Sequence, residues 1–375
     1  MSRRQYDDNR ISAPEMTITV TSMIIGVGIL TLPRVLAGTT ESSDGWISIA
    51  LAGCFGMLLA FILGKYGVLL GNETFYDFIG KLITKPIAAG LMIVVMFYYA
   101  MYASYEVRAI ANISKTYLFE RTPSEAIGLT FLLIVCYAVS GSRIGIIRLN
   151  TLFLPFVVVL TMVVLFLSNT IIVWQELKPV FVTKPGPLLT GAQESGFTML
   201  GFESILFYST MMKRPKDAPK AAVFGVAIPV VLYMGIYLAC VGIFSQAGLQ
   251  EIGYPAIELA KEVKIPGEFF ERMESVFFTI WIMTIFNSCT MAFDMAMHAG
   301  YSVFKKGKRI HWVILLAPII YYIGMMPKNV IAFAKYGSFI SYIGYGLIIL
   351  LAILYPFAKR KVKRSWASGS TGGNA

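Results

Sequence analysis

Apolar runs of bilayer length recur along the whole chain, and they restrict it to one solvent and one kind of secondary structure. They fall near residues 15–37, 46–70, 87–118, 124–140, 146–172, 192–211, 219–245, 273–298, 310–326 and 336–358. A helix needs about 20 apolar residues to cross the hydrocarbon core, so the pattern predicts an all-α membrane protein of about ten transmembrane helices. Several runs exceed that minimum, which implies tilt or extension beyond the lipid. The runs are continuous rather than alternating, unlike the strands of a membrane barrel. Composition agrees: 57% of the 375 residues are hydrophobic and 14% charged, too few charges to clothe a soluble domain of this size.

The segment SRRQYDDNRISAPE leads into a full-length span without a small-residue cleavage site, so no removable signal peptide is expected. Cys54, Cys136, Cys240 and Cys289 fall singly in four different runs. They read as small buried hydrophobes rather than a disulfide or metal set.

Orientation follows from Lys and Arg. Of the 32 such residues, about 21 fall in the segments on one side, including KRPKDAPK, KKGKR at 305–309 and KRKVKR at 359–364, and about 10 on the other. The positive-inside rule then puts both termini in the cytoplasm. The net charge of +11 is mostly this topology signal. No separate basic domain exists to suggest nucleic-acid binding.

An even number of spans with both ends inside divides into five plus five, and an odd number per half forces the halves into opposite orientations. The expected layout is a cytoplasmic tail at 1–13, a first repeat at 14–172 and an extracytoplasmic connector at 173–191. A second repeat follows at 192–358, then a basic, disordered tail at 359–375. Two amphipathic stretches occupy corresponding places in the halves: ETFYDFIGKLITKP at 73–86 and GYPAIELAKEVKIP at 253–266. Each carries a Lys five residues before a terminal Pro, Lys81 before Pro86 and Lys261 before Pro266.

Within this frame the first span of each half is interrupted. GVGILTLP at 26–33 brings Gly26, Gly28 and Pro33 into two turns of the first span. GAQESGFTMLGFESILFYS brings Gly201 and the ionisable Glu203 to the middle of the sixth. Close helix packing at small residues explains many membrane glycines. Interrupted helices in corresponding positions point instead to a transporter-type binding site. The motifs HExxH, GxSxG, Walker loop and CxxC do not occur, and no nucleophile and base can be paired, so catalysis is not expected.

GVGIL followed by LP, GFES in the sixth span, and KRPKDAPKAA after it resemble the amino acid–polyamine–organocation transporter superfamily, whose core is a five-plus-five inverted repeat. ISAPEMTITVTSMIIGVGILTLPRVLA, the DGWIS opening span two, and GSRIGIIRLNTLFLPF are similar, more closely, to the permease-like B subunits of spore germinant receptors. That resemblance covers essentially the whole chain. It implies a LeuT-like fold with helices 1 and 6 broken, a spore inner-membrane location, and partner A and C subunits. It also implies a small amino-acid-like germinant, and no cofactor.

Where the first helix unwinds at Gly26, Val27 and Gly28, free N–H groups can bind an amino-acid carboxylate. Carbonyls released around Leu200, Gly201 and Phe202 can accept from its ammonium. In the superfamily the position matching Val27 often carries a hydroxyl, which is missing here. The resemblance assigns side-chain specificity to helices three and eight. On helix three Tyr98, Tyr102 and Tyr105 form one stripe, which is also a common packing pattern. On helix eight Asn287, Ser288 and Thr290 are polar groups in an apolar run, and Ser288 is the first choice for the site. Glu203, Ser288 and Thr290 are the candidates for an ion or proton site. Glu203 reads equally as a proton carrier or as an acceptor bracing the broken helix. Glu106 and Arg108 in span three, and Asp294 and His298 in span eight, are the other candidate buried charges, with a place at the membrane interface as the plainer reading.

Three functions use this site: a ligand-sensing receptor subunit, a proton-coupled amino-acid transporter, and a ligand-gated water or ion conduit. In each, binding must favour one conformation, so sequence does not separate them.

Overall fold

The computed structural model describes residues 10–71, 73–263 and 273–370, with side chains described to Val362 and, in the last long segment, from Phe277. Its first apolar run forms two helices. α1 (Ala13–Ile24) starts at a capping box: Ser12 Oγ accepts from the Glu15 amide, and the Glu15 carboxylate accepts from the Ser12 N–H at 2.7 Å. α2 (Gly28–Thr39) departs from α1 at 55° after residues 25–27.

The chain continues through α3 (Gly45–Leu70), α4 (Phe75–Leu82), α5 (Lys85–Tyr117), α6 (Ser124–Ser140) and α7 (Arg143–Ser168). A connector leads to α8 (Pro185–Thr198), a 3-10 turn at Phe202–Ser204 and α9 (Ile205–Tyr208). Then come α10 (Ala218–Glu251), α11 (Pro255–Glu262), α12 (Met273–Phe304), α13 (Arg309–Met325) and α14 (Val330–Ser370). Among the described residues six helices are long and apolar enough to cross a membrane, seven if α1 and α2 form one span. α6 and α13, at 17 residues each, are apolar but shorter. The sixth run is divided by its break into pieces too short to count.

Both amphipathic stretches form short helices where expected. α4 is capped by Thr74, which accepts from the Asp77 amide, and α11 begins at Pro255. Pro266 lies outside the described residues. The two most extensive helix interfaces are α3 with α10 and α5 with α12, and α2 packs on α8. Each of the first three apolar runs therefore packs on the run five places further along. Contact is close where side chains are smallest: a Cβ on Gly64 would lie 2.5 Å from the Pro219 backbone.

Connecting segments sort onto two faces. On one, Ile11 pairs with Met212 as an isolated bridge, and Lys305 approaches Asp77 at 3.8 Å. On the other, Tyr117 donates to Glu258 at 2.8 Å, while Gln246 and Gln250 donate to carbonyls at the end of α2. The segment before α8 is fastened to this second face by Asp44, whose buried carboxylate accepts from the amides of Phe181, Val182 and Thr183 at 2.7–2.8 Å.

The ends differ from expectation. Ile11, inside the expected tail, is buried and hydrogen-bonded to Met211 and Lys213. α14 continues through the basic segment to Ser370, where a disordered tail is expected from residue 359. Lys and Arg are good helix formers and favour a helix C-terminus, so the run does not stop at KRKVKR. α8 begins seven residues before the expected span because Pro185 suits the first helical turn.

Burial alone would raise the Asp44 pKa, but the three amides and the Thr183 hydroxyl outweigh it and hold the carboxyl below its usual value. Its contribution to stability is therefore present above the unfolded value, about 3.9, and lost as pH falls through the lower folded value. Asp44→Ala should abolish hydrogen-exchange protection at Phe181, Val182 and Thr183 at neutral pH and leave α3 protected. Acidification of the wild type below the ordinary Asp range should do the same. Unchanged protection in the variant would contradict this tether.

Candidate functional site

The interruption at 25–27 exposes the carbonyls that end α1, and long tyrosines from neighbouring helices cover them. Tyr102 of α5 donates to Met23 O at 3.2 Å, and Tyr233 of α10 to Ile24 O at 3.0 Å. The amide of Gly26 turns back to Ile24 O at 2.9 Å. A broken helix inside a membrane requires such internal partners, because lipid offers none.

The second interruption is braced differently. Gly201 has φ +130°, a conformation that residues with a side chain rarely adopt, and a Cβ there would meet Met23 Cγ at 2.8 Å. Its N–H donates to Glu203 Oε2 at 2.8 Å, and Tyr98 donates to Glu203 Oε1 at 2.8 Å. Both carboxylate oxygens are thus occupied, as expected of an acceptor bracing the helix.

Between the α1–α2 break, α5, α8 and α14 lies a cavity of about 180 Å³. Gly26, Val27, Gly28, Tyr102 and Leu200 line it, as do Glu106 and Glu194. Glu106 is 2% exposed, and its Oε2 has no hydrogen-bond partner among the described residues. Its other neighbours are the Val27 amide and the Ser288 hydroxyl. A Cβ on Gly26 would lie 2.6 Å from Glu106 Oε1, so the glycine makes room for the carboxylate.

The expected residues therefore divide. Tyr98, Gly201, Phe202 and Glu203 do not line this cavity; they are buried in the bracing of the sixth run. Ser288 lies behind Glu106, and its Oγ donates to Ile285 O at 3.1 Å. Thr290 donates to Phe286 O at 2.6 Å, within its own helix. Gly28 is also a packing residue, since a Cβ there would meet Thr198 Cβ at 2.7 Å. No group of three or more His, Cys, Asp or Glu suited to a metal occurs among the described residues.

Glu106, named from the sequence as a candidate buried charge, is buried, but it was not placed in the binding site. The signal was its position four residues past Tyr102, on the same face of the helix. Asp294, a candidate buried charge for which the membrane interface was the plainer reading, is fully buried. It accepts from Arg143 at 2.9 Å, Arg309 at 2.6 Å and Tyr208 at 2.9 Å, joining α7, α9, α12 and α13.

Two interrupted apolar runs lie beside a small polar cavity, and this all-helical fold has a counterpart among solved structures. The chain superposes on Mhp1, a nucleobase-cation-symport-1 family transporter in a closed conformation with bromovinylhydantoin bound, with a TM-score of 0.69. The match covers 93% of this chain and 78% of that one, at 12% identity. The chain belongs to the spore germination protein family, which it matches over residues 10–333. It is 35% identical to spore germination protein GerLB of Bacillus cereus over 362 residues, 96% of each chain. It is 31% identical to YndE of Bacillus subtilis (strain 168) over 359 residues, 95% of this chain and 99% of the relative.

The two buried glutamates should respond oppositely to amidation. Glu203→Gln replaces one of two accepting oxygens with a donor facing a donor, which costs roughly 1–3 kcal/mol, and it should lower the melting temperature of the purified protein. Tyr98→Phe should do so to a similar extent. Glu106→Gln breaks no such pair and should melt as the wild type or higher. Equal losses for both glutamine variants would contradict this division.

Proposed function

We propose that this chain is the permease-like, ligand-sensing subunit of a spore germinant receptor. A small amino-acid-like germinant binds in the cavity at the first helix break, and partner A and C subunits read the resulting change. The observation that carries the reading is a cavity of about 180 Å³ set at an interrupted helix, in a family of spore germination proteins. Its size falls below the roughly 300–1,000 Å³ of drug-sized sites.

In this reading the chain crosses the spore inner membrane ten times as an inverted repeat, with helices 1 and 6 broken and both termini cytoplasmic. The pairing of α3 with α10 and of α5 with α12, and the sorting of loops onto two faces, support that arrangement. The basic face, with Lys213, Lys305 and Arg309, is then the cytoplasmic one. Binding acts by favouring one conformation of α1 and α2 relative to the helices around them.

Two experiments test the proposal. Purified protein in nanodiscs should bind at least one standard amino acid saturably, and proteoliposomes should show no uptake of it above empty vesicles. Uptake driven by a proton gradient would make the chain a transporter instead, and absence of any binding would overturn the site. For topology, an impermeant thiol reagent on intact cells should label Glu41→Cys and miss Lys216→Cys, both exposed positions. The reverse would invert the assigned faces.

A further inference from the structure

Most polar side chains in the cavity wall can be assigned a hydrogen-bonding role, and the result is lopsided, Tyr105 being the one lining hydroxyl without a hydrogen-bond partner among the described residues. Five hydroxyls of the wall already donate to backbone carbonyls: Thr31 to Gly28, Tyr102 to Met23, Thr198 to Ser195, Ser338 to Ala334 and Ser341 to Gly337. A hydroxyl has one hydrogen, so these groups face a ligand as acceptors only. The wall carries two carboxylates, Glu106 and Glu194, and neither Lys nor Arg. Of the three amides expected to receive a ligand carboxylate, that of Gly26 turns back to Ile24 O and that of Val27 faces Glu106, which leaves Gly28. The cavity is therefore rich in acceptors, poor in donors and acidic.

An ammonium group is the complement of such a wall, with three donors and no acceptor. Glu106 Oε2 is the one buried carboxylate oxygen in the wall without a partner among the described residues, and a carboxylate so buried is stable as an anion only beside a counter-charge. We infer that Glu106 is the specificity-determining residue of the site and receives the ligand's ammonium, so that the ligand class is primary ammonium compounds and the carboxylate of an amino acid is dispensable. Building on the proposed germinant site, this reverses the polarity usual for a helix break. The protein supplies the carboxylate at the Val27 amide, and the ligand supplies the cation.

The test uses intact purified protein in nanodiscs and calorimetric titration. The twenty standard amino acids are titrated first, and for the tightest binder its amide and its deaminated acid follow. The amide, which keeps the ammonium and loses the carboxylate, should bind within about threefold of the amino acid. The deaminated acid, which keeps only the carboxylate, should not compete at a hundredfold excess. Glu106→Gln should weaken amino-acid binding at least tenfold, about 1.4 kcal/mol, while melting as the wild type does. Glu194→Gln should have a smaller effect. A deaminated acid that binds as tightly as the amino acid, or a Glu106→Gln protein with unchanged affinity, would overturn this inference and leave the germinant site standing. Binding of neither amino acids nor amines would overturn both.

Discussion

Lipid supplies no hydrogen bonds, so any helix interrupted within a membrane must find partners for its freed backbone groups inside the protein. The architecture of this chain follows from that requirement at two places. At 25–27 the carbonyls ending α1 are covered by tyrosines from α5 and α10. At Gly201 a freed amide and a tyrosine from α5 converge on one carboxylate. α5 contributes to both breaks, through Tyr102 and Tyr98, and it joins them to α12 by one of the two largest interfaces in the molecule. The cavity is the space these braces leave open.

The two buried glutamates show how similar sequence positions acquire different roles. Glu203 sits where two donors already point, and it is saturated. Glu106 sits against a glycine in the cavity wall, with one oxygen unpartnered among the described residues. A carboxylate of the first kind holds structure, and one of the second kind is available to a ligand. Asp294 is a third case, compensated by two arginines, and losing one partner of such a buried pair typically costs about 3–5 kcal/mol. It ties the ends of α7, α9 and α13 to α12.

Much of this was legible in the sequence. Continuous apolar runs placed every long helix, because crossing length and hydrophobicity are properties of the chain alone. Gly26 with Gly28 and Gly201 with Glu203 marked both interruptions, since glycine and an intramembrane acid are each costly in an unbroken helix. The tyrosine stripe was found but not divided. Tyr98 and Tyr102 share a helix face, yet a single turn of α5 separates the brace of the sixth run from the wall of the cavity. Glu106 was legible as a candidate buried charge but not as a site residue, because its place in the cavity depends on Gly26, about 80 residues away in sequence, and such a juxtaposition has no local signature. Continuation of α14 through its basic end was obscured by composition, since Lys and Arg suit a helix terminus as well as a tail.

The central claim is that a ligand enters at the first helix break, beside Glu106. An electron cryomicroscopy map of the protein in nanodiscs, saturated with the amino acid it binds most tightly, tests this directly. The account predicts that residues 25–27 remain non-helical and that ligand density fills the cavity with its ammonium within hydrogen-bonding distance of Glu106 Oε2. A continuous helix through residues 25–27, or ligand density away from Glu106, would contradict it.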